Sequence, residues 1–174
     1  FDSSPRFHDY DGDGNTDLIA GSMDGTIRSF RNTGFEDSPH FTEVNSWEVD
    51  ATQEHFVFVN GIQLKTVAIS SIDIGSRSVL SFADLDADGL VDMLIGNTHG
   101  LISGFKRVMV QEQFLNETTN SPQTGNRLSW VPFSYNLSSR EFSERAAPAL
   151  ADLDNDGDMD LVVGNSAGTL EGFV

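Results

Sequence analysis

An acidic motif of nine residues occurs three times in the chain and constrains its fold more than any other feature. The copies cover 9–17, 84–92 and 152–160, and they share the pattern D-x-D-x-D-G-x-x-D. Their first residues are 75 and 68 positions apart. A motif that recurs at long intervals is typical of a protein built from structural repeats. We therefore expect each copy to hold the same place in one of three similar units.

The motif has the composition of a calcium loop. Positions 1, 3, 5 and 9 bring four carboxylates together, and no Lys or Arg lies within any copy to balance them. Oxygen ligands at this spacing suit a hard cation, and Ca²⁺ accepts roughly six to eight of them. The Gly at position 6 permits the sharp turn that such a loop makes. The sequence thus predicts three Ca²⁺ sites.

The loop is not an EF-hand, because that motif needs a bidentate Glu at position 12 on an exiting helix. Position 12 is occupied here by Ala20, Ile95 and Val163. The apolar run after position 9 has three residues and ends at a Gly in every copy, which is too short for a helix. It predicts a buried strand that begins at the last Asp of the motif.

The similarity between the copies extends beyond the loop. A strand is expected before it, at 4–8, 79–83 and 147–151. A second Gly follows four residues after the first, as in Asp24-Gly25, and predicts a hairpin turn. A further strand should then run to an aromatic residue, at 26–30, 101–105 and 169–173. Each unit is therefore predicted as strand, calcium loop, strand, hairpin turn and strand.

Two inserts, 33–79 and 108–147, separate the motifs and have room for more strands. In the first insert, a strand is predicted at 41–49. A hairpin is predicted from 55–59 and 62–69, because Asn60-Gly61 suits a type I′ turn.

The second insert begins with residues 106–114, which we expect to continue the preceding strand. Residues 116–126 are polar, with Pro122 and Gly125, and predict a mobile loop. A strand is expected at 128–135, and Pro132 favours an edge position for it. Residues 140–146 are the only stretch that could form a short helix.

These elements predict an all-β fold of β-propeller-type blades. Units of this length, with about four strands each, give about two and a half four-stranded blades, whereas a closed ring takes about four to eight. We therefore expect residues 1–174 to form a single partial β-propeller with an incomplete ring. The remainder of a larger propeller, or another protein chain, would complete it.

The repeats resemble those of the FG-GAP/VCBS family, which forms the calcium-binding propeller of integrin α subunits and of many secreted proteins. The resemblance covers 5–32, 80–107 and 148–174. Integrin-type repeats continue with Gly-Ala-Pro, whereas this chain has Gly-Ser or Gly-Asn after the apolar run. That difference favours the VCBS-like branch and argues against an integrin-like ligand site. The resemblance implies carboxylate ligands at Asp9, Asp11, Asp13, Asp17, Asp84, Asp86, Asp88, Asp92, Asp152, Asp154, Asp156 and Asp160, with backbone carbonyls of Asn15, Leu90 and Asp158.

The overall composition excludes several classes of function. Twelve of the 27 acidic residues are motif positions, so the net charge of −17 reflects the loops. The ten basic residues are scattered, which argues against nucleic acid as a partner. The chain has no Cys for disulfides or thiol chemistry. No apolar run reaches the roughly 18 residues that a membrane-spanning helix requires, so no direct membrane insertion is expected.

Other candidate sites have simpler explanations. The sequence from Gly164 to Gly168 matches the G-x-S-x-G nucleophile elbow, but a strand follows where that motif needs a helix. Trp47, Trp130 and Tyr135 could form a sugar-stacking platform, although packing between blades is favoured. Glycosylation sequons begin at Asn116 and Asn136 and agree with a secreted or lumenal protein.

The sequence thus favours a non-enzymatic scaffold for adhesion or protein interaction, with Ca²⁺ in a structural role. We expect it outside the cytosol, in the extracellular space, on the cell surface or in an organelle lumen. Its partner would be a protein or the remainder of a propeller. The alternatives are a lectin-like module that binds glycans and a non-catalytic part of a polysaccharide-active enzyme.

Overall fold

A computed structural model describes residues 3–35, 37–44, 56–59, 62–65, 72–115, 122–133 and 142–174. This part of the chain is all-β, and it contains no helix that is long and apolar enough to cross a membrane. The strands are β1 Ser4–His8, β2 Asp17–Gly21, β3 Ile27–Asn32, β4 Phe41–Val44, β5 Phe56–Val59, β6 Ile62–Lys65, β7 Val79–Ala83, β8 Asp92–Gly96, β9 Ile102–Leu115, β10 Pro122–Phe133, β11 Ala147–Ala151, β12 Asp160–Gly164 and β13 Leu170–Phe173.

The strands form three antiparallel blades and a separate hairpin. Blade one has the order β1-β2-β3-β4, blade two has β7-β8-β9-β10, and blade three has β11-β12-β13. Among the described residues, strands β5 and β6 pair with each other and with no other strand. None of these described sheets closes on itself, which agrees with the incomplete propeller expected from the sequence.

The three blades pair their strands in one common register. A slip of one residue would move every side chain to the opposite face, so a shared register places equivalent residues in equivalent surroundings. In each blade the first and second strands pair through Pro5 with Ala20, Leu80 with Ile95, and Pro148 with Val163. The second and third strands pair through Gly21 with Ile27, Gly96 with Ile102, and Gly164 with Leu170.

The central strand β8 of blade two is buried on both faces, because it lies between two apolar clusters. Met93 and Ile95 pack with Ile19 of blade one. Leu94 points to the opposite face, as alternation along a strand requires, and packs with Leu161 of blade three. The uninterrupted apolar run in this motif therefore serves two interfaces.

The predicted strands of the first insert are confirmed where the structure describes them. The hairpin is present as β5 and β6, which pair from Phe56 with Lys65 to Val59 with Ile62. Its turn, at 60–61, lies outside the described residues. The strand predicted at 41–49 is present as β4, and residues 45–49 lie outside the described part.

Strand β9 confirms that residues 106–114 continue the preceding strand. The loop predicted at 116–126 is wrong over 122–126, because β10 begins at Pro122 and pairs there with the end of β9. Pro122 and Gly125 are compatible with a strand because β10 lies at the edge of its sheet. Residues 116–121 and 134–141 lie outside the described residues.

The short helix expected at 140–146 is wrong for 142–146, which form bends and lead into β11. The backbone N–H groups of Phe142, Arg145 and Ala146 donate to carbonyls of the turn between β8 and β9. These donors are therefore engaged with the neighbouring blade and do not build a helix.

Leu94→Ala tests the packing between blades two and three. Its side chain is fully buried, so its truncation should lower the free energy of unfolding by about 2–5 kcal/mol. Leu170→Ala is the matched control: Leu170 is 75% exposed, and its truncation should change stability by less than about 0.5 kcal/mol. Urea unfolding of both variants measures the difference, and equal losses would contradict the assigned core.

Candidate metal centres

Each acidic loop makes its turn with two residues in the left-handed region. Position 6 is the Gly that the motif predicts, with φ of 90° at Gly14, 86° at Gly89 and 98° at Gly157. Position 4 also has positive φ in every loop, which the sequence pattern did not reveal. That position is Gly12, Ala87 or Asn155, with φ of 76°, 58° and 62°. Ala87 has no side-chain oxygen to offset a conformation that costs about 1–2 kcal/mol.

The aspartates at positions 1 and 5 hold the loop through backbone hydrogen bonds. The position 1 carboxylate accepts from the position 6 N–H, at 2.9 Å between Gly14 and Asp9, 2.8 Å between Gly89 and Asp84, and 3.2 Å between Gly157 and Asp152. The position 5 carboxylate accepts from the position 7 N–H, at 2.8 Å for Asn15 to Asp13, 2.8 Å for Leu90 to Asp88, and 2.9 Å for Asp158 to Asp156. The loops therefore share one hydrogen-bonded frame.

The aspartate at position 9 begins the second strand of each blade and is buried in all three. Each accepts a hydrogen bond from the N–H at position 2 of its own loop: Tyr10 to Asp17 at 2.9 Å, Leu85 to Asp92 at 3.1 Å, and Leu153 to Asp160 at 2.7 Å. In blades one and two a third-strand N–H also donates, from Asn32 to Asp17 at 2.7 Å and from Arg107 to Asp92 at 2.8 Å.

Carboxylate oxygens converge in every loop, within 4.8 Å of one another. The converging groups are Asp9, Asp11 and Asp13 in the first loop, Asp84, Asp86 and Asp92 in the second, and Asp152, Asp154 and Asp160 in the third. In the third loop, Oδ1 of Asp152 is buried and has no hydrogen-bond donor. A buried oxygen without a donor is costly, and a metal ion bound by the surrounding oxygens would satisfy it. The residues therefore fit a hard cation.

The remaining predicted ligands lie around these groups. Asp17, Asp88 and Asp156 belong to the same loops, at positions 9, 5 and 5. Asn15, Leu90 and Asp158 follow position 5 at the loop tip, where their N–H groups are engaged as described above. The ligand roles of these residues stay predictions.

In the described part of the chain, two basic side chains form ion pairs with carboxylates of the acidic loops, and the motif search missed both. Arg31 of β3 forms ion pairs with Asp11 at 2.8 Å and Asp13 at 2.9 Å. Lys106 of β9 pairs with Asp86 and Asp88. Arg31 and Lys106 are equivalent positions of the repeat, each directly after an aromatic residue, so alignment of the copies could have found them. The same position in blade three is Val174.

The environment shifts the pKa values of several loop carboxyls. Burial raises the pKa of Asp92 to about 6, although N–H groups of Arg107 and Leu85 oppose the shift. Burial likewise raises the pKa of Asp17 and, against the opposing charge of Arg31, that of Asp11. The N–H of Asn15, followed by Arg31, lowers the pKa of the exposed Asp13.

One of the three aromatic candidates for sugar stacking lies in the described part, and it is buried. Trp130 is 1% exposed, and its Nε1 donates to the hydroxyl of Tyr10 at 2.5 Å. The guanidinium of Arg107 lies 3.9 Å from the Tyr10 ring centroid and 4.8 Å from that of Trp130. Packing between blades, as favoured from the sequence, is confirmed for Trp130. Trp47 and Tyr135 lie outside the described residues.

Comparison with known families identifies the repeat. The profile of the FG-GAP repeat matches residues 145–174, which contain the third loop and all of blade three. Blade three therefore matches an FG-GAP repeat, which supports an FG-GAP-type repeat protein. Blades one and two have the same strand register and the same loop frame as this repeat. FG-GAP repeats are typically extracellular and non-catalytic. A search of the curated proteins finds none that matches this chain.

The raised pKa of Asp92 predicts how pH affects the metal-free protein. The folded state keeps this proton up to a pH of about 6, whereas the unfolded chain loses it near 3.8. Between those values the folded state binds more protons, so the contribution of Asp92 to stability falls as pH rises. The expected total is on the order of 3 kcal/mol, at about 1.4 kcal/mol per pKa unit.

Urea unfolding of calcium-depleted wild type and Asp92→Asn, across this pH range, measures the effect. Asn does not titrate, so the stability of the wild type minus that of the variant isolates Asp92. The difference should decrease with rising pH and level off above about 6. A constant difference would show that burial does not shift this carboxyl.

Proposed function

We propose that this chain is a calcium-stabilised propeller segment of the VCBS-like branch, acting outside the cytosol as a scaffold for adhesion or protein interaction. The main support is the frame shared by the three loops. Carboxylates converge in each loop, and in the second and third loops the converging group includes the buried aspartate that begins a strand. Three copies of one arrangement, in three blades of one register, indicate a common role in holding each blade.

Calcium is the metal that the donor set favours. The donors are carboxylates and backbone carbonyls on an irregular loop, and Ca²⁺ accepts many oxygen ligands in flexible geometry. Mg²⁺ demands near-ideal octahedral geometry and retains several waters. The predicted ligands are the aspartates at positions 1, 3, 5 and 9, with the carbonyl at position 7.

The role of the ion is structural. Position 1 follows the first strand of the blade, and position 9 begins the second. An ion bound between them would tie the two strands together and offset the repulsion between carboxylates. The motif aspartates that bind the ion would not be available for a reaction.

The affinity expected for Ca²⁺ supports a location outside the cytosol. Extracellular calcium modules bind with dissociation constants of about 10⁻⁴ to 10⁻³ M, which require abundant Ca²⁺. The FG-GAP repeat supports the same location. The burial of Trp130 removes one of the aromatic side chains on which a lectin-like function was considered, so the scaffold is the favoured function.

Calorimetric titration of the calcium-depleted chain tests the proposal. We expect uptake of three Ca²⁺ ions, and a melting temperature that rises with Ca²⁺ and falls on chelation, because a ligand of the folded state stabilises by RT ln(1 + [L]/Kd). Mg²⁺ at equal concentration is the control for a general salt effect. A melting temperature that changes with neither Ca²⁺ nor chelator would contradict the proposal.

Asp156→Ala and Asp158→Ala form a matched pair within the third loop. Asp156 at position 5 offers its carboxylate, whereas Asp158 at position 7 is expected to offer only its backbone carbonyl. The first substitution should therefore weaken Ca²⁺ binding in this loop by at least about tenfold, and the second should change it little. Equal losses of affinity in the titration would mean that the ligand register is wrong.

The basic partners of the first two loops predict unequal affinities. Arg31 and Lys106 occupy carboxylates that the ion needs, whereas the third loop has Val174 in the equivalent place. Arg31→Met and Lys106→Met should each raise Ca²⁺ affinity of their own loop by about threefold to tenfold. Arg28→Met, which removes a cation of the same sheet that pairs with Glu43, is the control. Unchanged affinity in both loop variants would show that these cations do not compete with the ion.

A further inference from the structure

A cleft of about 240 Å³ lies between blades one and two, beside their acidic loops. Blade one contributes the end of β1 and the start of its acidic loop, and blade two contributes the tip of its acidic loop and parts of β9 and β10. The lining residues include His8 and Tyr10 of blade one, and Arg107 and Leu128 of blade two. The cleft therefore lies between two four-stranded blades.

Arg107 brings a buried positive charge to this cleft. The residue is 5% exposed, and in the described part of the chain no carboxylate forms an ion pair with its guanidinium. Its Nη2 donates to the carbonyl of Tyr10 at 2.6 Å, whereas its Nε is buried and has no acceptor. A guanidinium has five N–H donors, and a buried charge without acceptors is costly. Arg107 therefore lacks an anionic partner.

Aromatic stacking satisfies the faces of the guanidinium but not its edges. The central carbon lies 3.9 Å from the ring centroid of Tyr10 and 4.8 Å from that of Trp130. Both rings attract the cation through their π faces. The N–H groups of a guanidinium point outward in its own plane, so the rings cannot accept from them. A carboxylate is planar and can accept two such N–H bonds at once.

The side chain of Arg107 is not a requirement of the repeat. Blade one has Asn32 at the equivalent place, and in both blades the backbone N–H of this residue donates to the aspartate at position 9. The Asn32 side chain stays within its own blade, where Oδ1 accepts from the N–H groups of Gly34 at 3.1 Å and His40 at 3.0 Å. The guanidinium instead reaches the neighbouring blade.

The opposite wall of the cleft departs from the repeat in the same way. His8 and Tyr10 take the places of Ala83 and Leu85 in blade two, and blade three also has Ala and Leu at these positions. A blade of this type thus forms with small or apolar residues there. Three polar side chains, one of them cationic, have been gathered at a single interface without being needed to build either blade.

We propose that this cleft binds a carboxylate group, held in the plane of the Arg107 guanidinium. The cleft is smaller than the roughly 300–1,000 Å³ of sites for drug-sized ligands, so it admits a small organic acid or the end of an acidic side chain of a protein. The contact is made to Arg107 and not to a bound ion. It goes beyond the proposed function and does not depend on the role of Ca²⁺.

Asp9 also lines the cleft and limits the affinity and charge of the ligand. Its oxygens accept N–H bonds from its own loop, from Gly12 at 2.8 Å and Asp13 at 3.2 Å to Oδ1, and from Gly14 at 2.9 Å to Oδ2. These bonds hold its charge toward the loop, but repulsion of a second carboxylate remains. We therefore expect a dissociation constant on the order of 1 mM, and weaker binding of a doubly charged anion.

The test is a titration of the full chain in Ca²⁺, at constant ionic strength, with acetate and with the α-amide of N-acetylglutamate. The Nε–H resonance of Arg107 should shift saturably with both in NMR spectra. The α-amide of N-acetylglutamine, which is neutral, should produce no shift, and sulfate should bind more weakly. Absence of a saturable shift, a shift that chloride reproduces, or tighter binding of sulfate would each overturn the proposal.

The two carboxylates distinguish the sources of the ligand. Tighter binding of the glutamate derivative than of acetate would support an acidic side chain of a protein partner, because that probe carries the flanking peptide groups. Equal affinity would support a free organic acid. Either result supports the cleft as a carboxylate site.

Leu128→Glu and Leu128→Gln form the matched pair of variants. Leu128 is partly buried and lines the cleft, so Glu would place a carboxylate of the chain itself beside Arg107. This substitution should weaken acetate binding at least about tenfold, because the partner of the guanidinium is then supplied internally. Gln has the same shape without the charge and should leave the affinity within about twofold. Equal affinities in the two variants would contradict the assigned site.

Arg107→Lys keeps the charge but lacks the planar pair of donors, so it should also weaken acetate binding about tenfold. Binding is followed here through the amide resonances of residues 89–91, and a melting curve checks the fold. If this variant does not fold, the Leu128 pair decides. Acetate binding that survives Leu128→Glu would overturn the cleft. A negative result with normal Ca²⁺ uptake would overturn the cleft and leave the proposed function standing.

Discussion

The buried aspartate at position 9 is the interaction on which each blade depends. A carboxylate removed from water is costly unless donors or a cation surround it. Asp17 and Asp92 each accept two backbone N–H bonds, one from their own loop and one from the third strand of the blade. In these two blades the side chain therefore ties the acidic loop and the second and third strands together. The same charge is what makes the loop a place for a cation.

Blade one connects this local frame to its neighbour through Tyr10. The N–H of Tyr10 donates to Asp17. The Tyr10 ring contacts Arg107 of blade two, and its hydroxyl contacts Trp130. Nη2 of Arg107 also donates to the carbonyl of Tyr10 at 2.6 Å, and the N–H of Arg107 donates to Asp92. The geometry of the first loop, the second loop and the interface between blades is thus fixed by one connected set of hydrogen bonds.

The sequence predicted the elements that rest on local pattern. The repeated motif predicted the loops and the strands β2, β8 and β12, and Asn60-Gly61 predicted the hairpin of β5 and β6. The prediction failed where contacts with residues distant in the sequence determine the local structure. Residues 122–126 form a strand because β9 is long enough to pair with them. Residues 142–146 do not form a helix, because their N–H groups donate to carbonyls of the turn between β8 and β9. Arg31 and Lys106 were missed because they lie outside the motif and reach the loops only through strand pairing.

The contacts between blades also give a physical reason for the departure from the integrin-type motif. The Pro of Gly-Ala-Pro would stand at the place of Met23, Thr98 and Ser166. The N–H groups of Thr98 and Ser166 donate to the carbonyls of Ser76 and Glu144, and Pro has no N–H to donate. The turns of the three blades therefore differ in sequence where only their carbonyls accept hydrogen bonds. They have Gly where the following blade packs closely, and they lack Pro where a backbone N–H donates. These constraints act through the backbone, so the repeats preserve their interfaces with little identity in the turns.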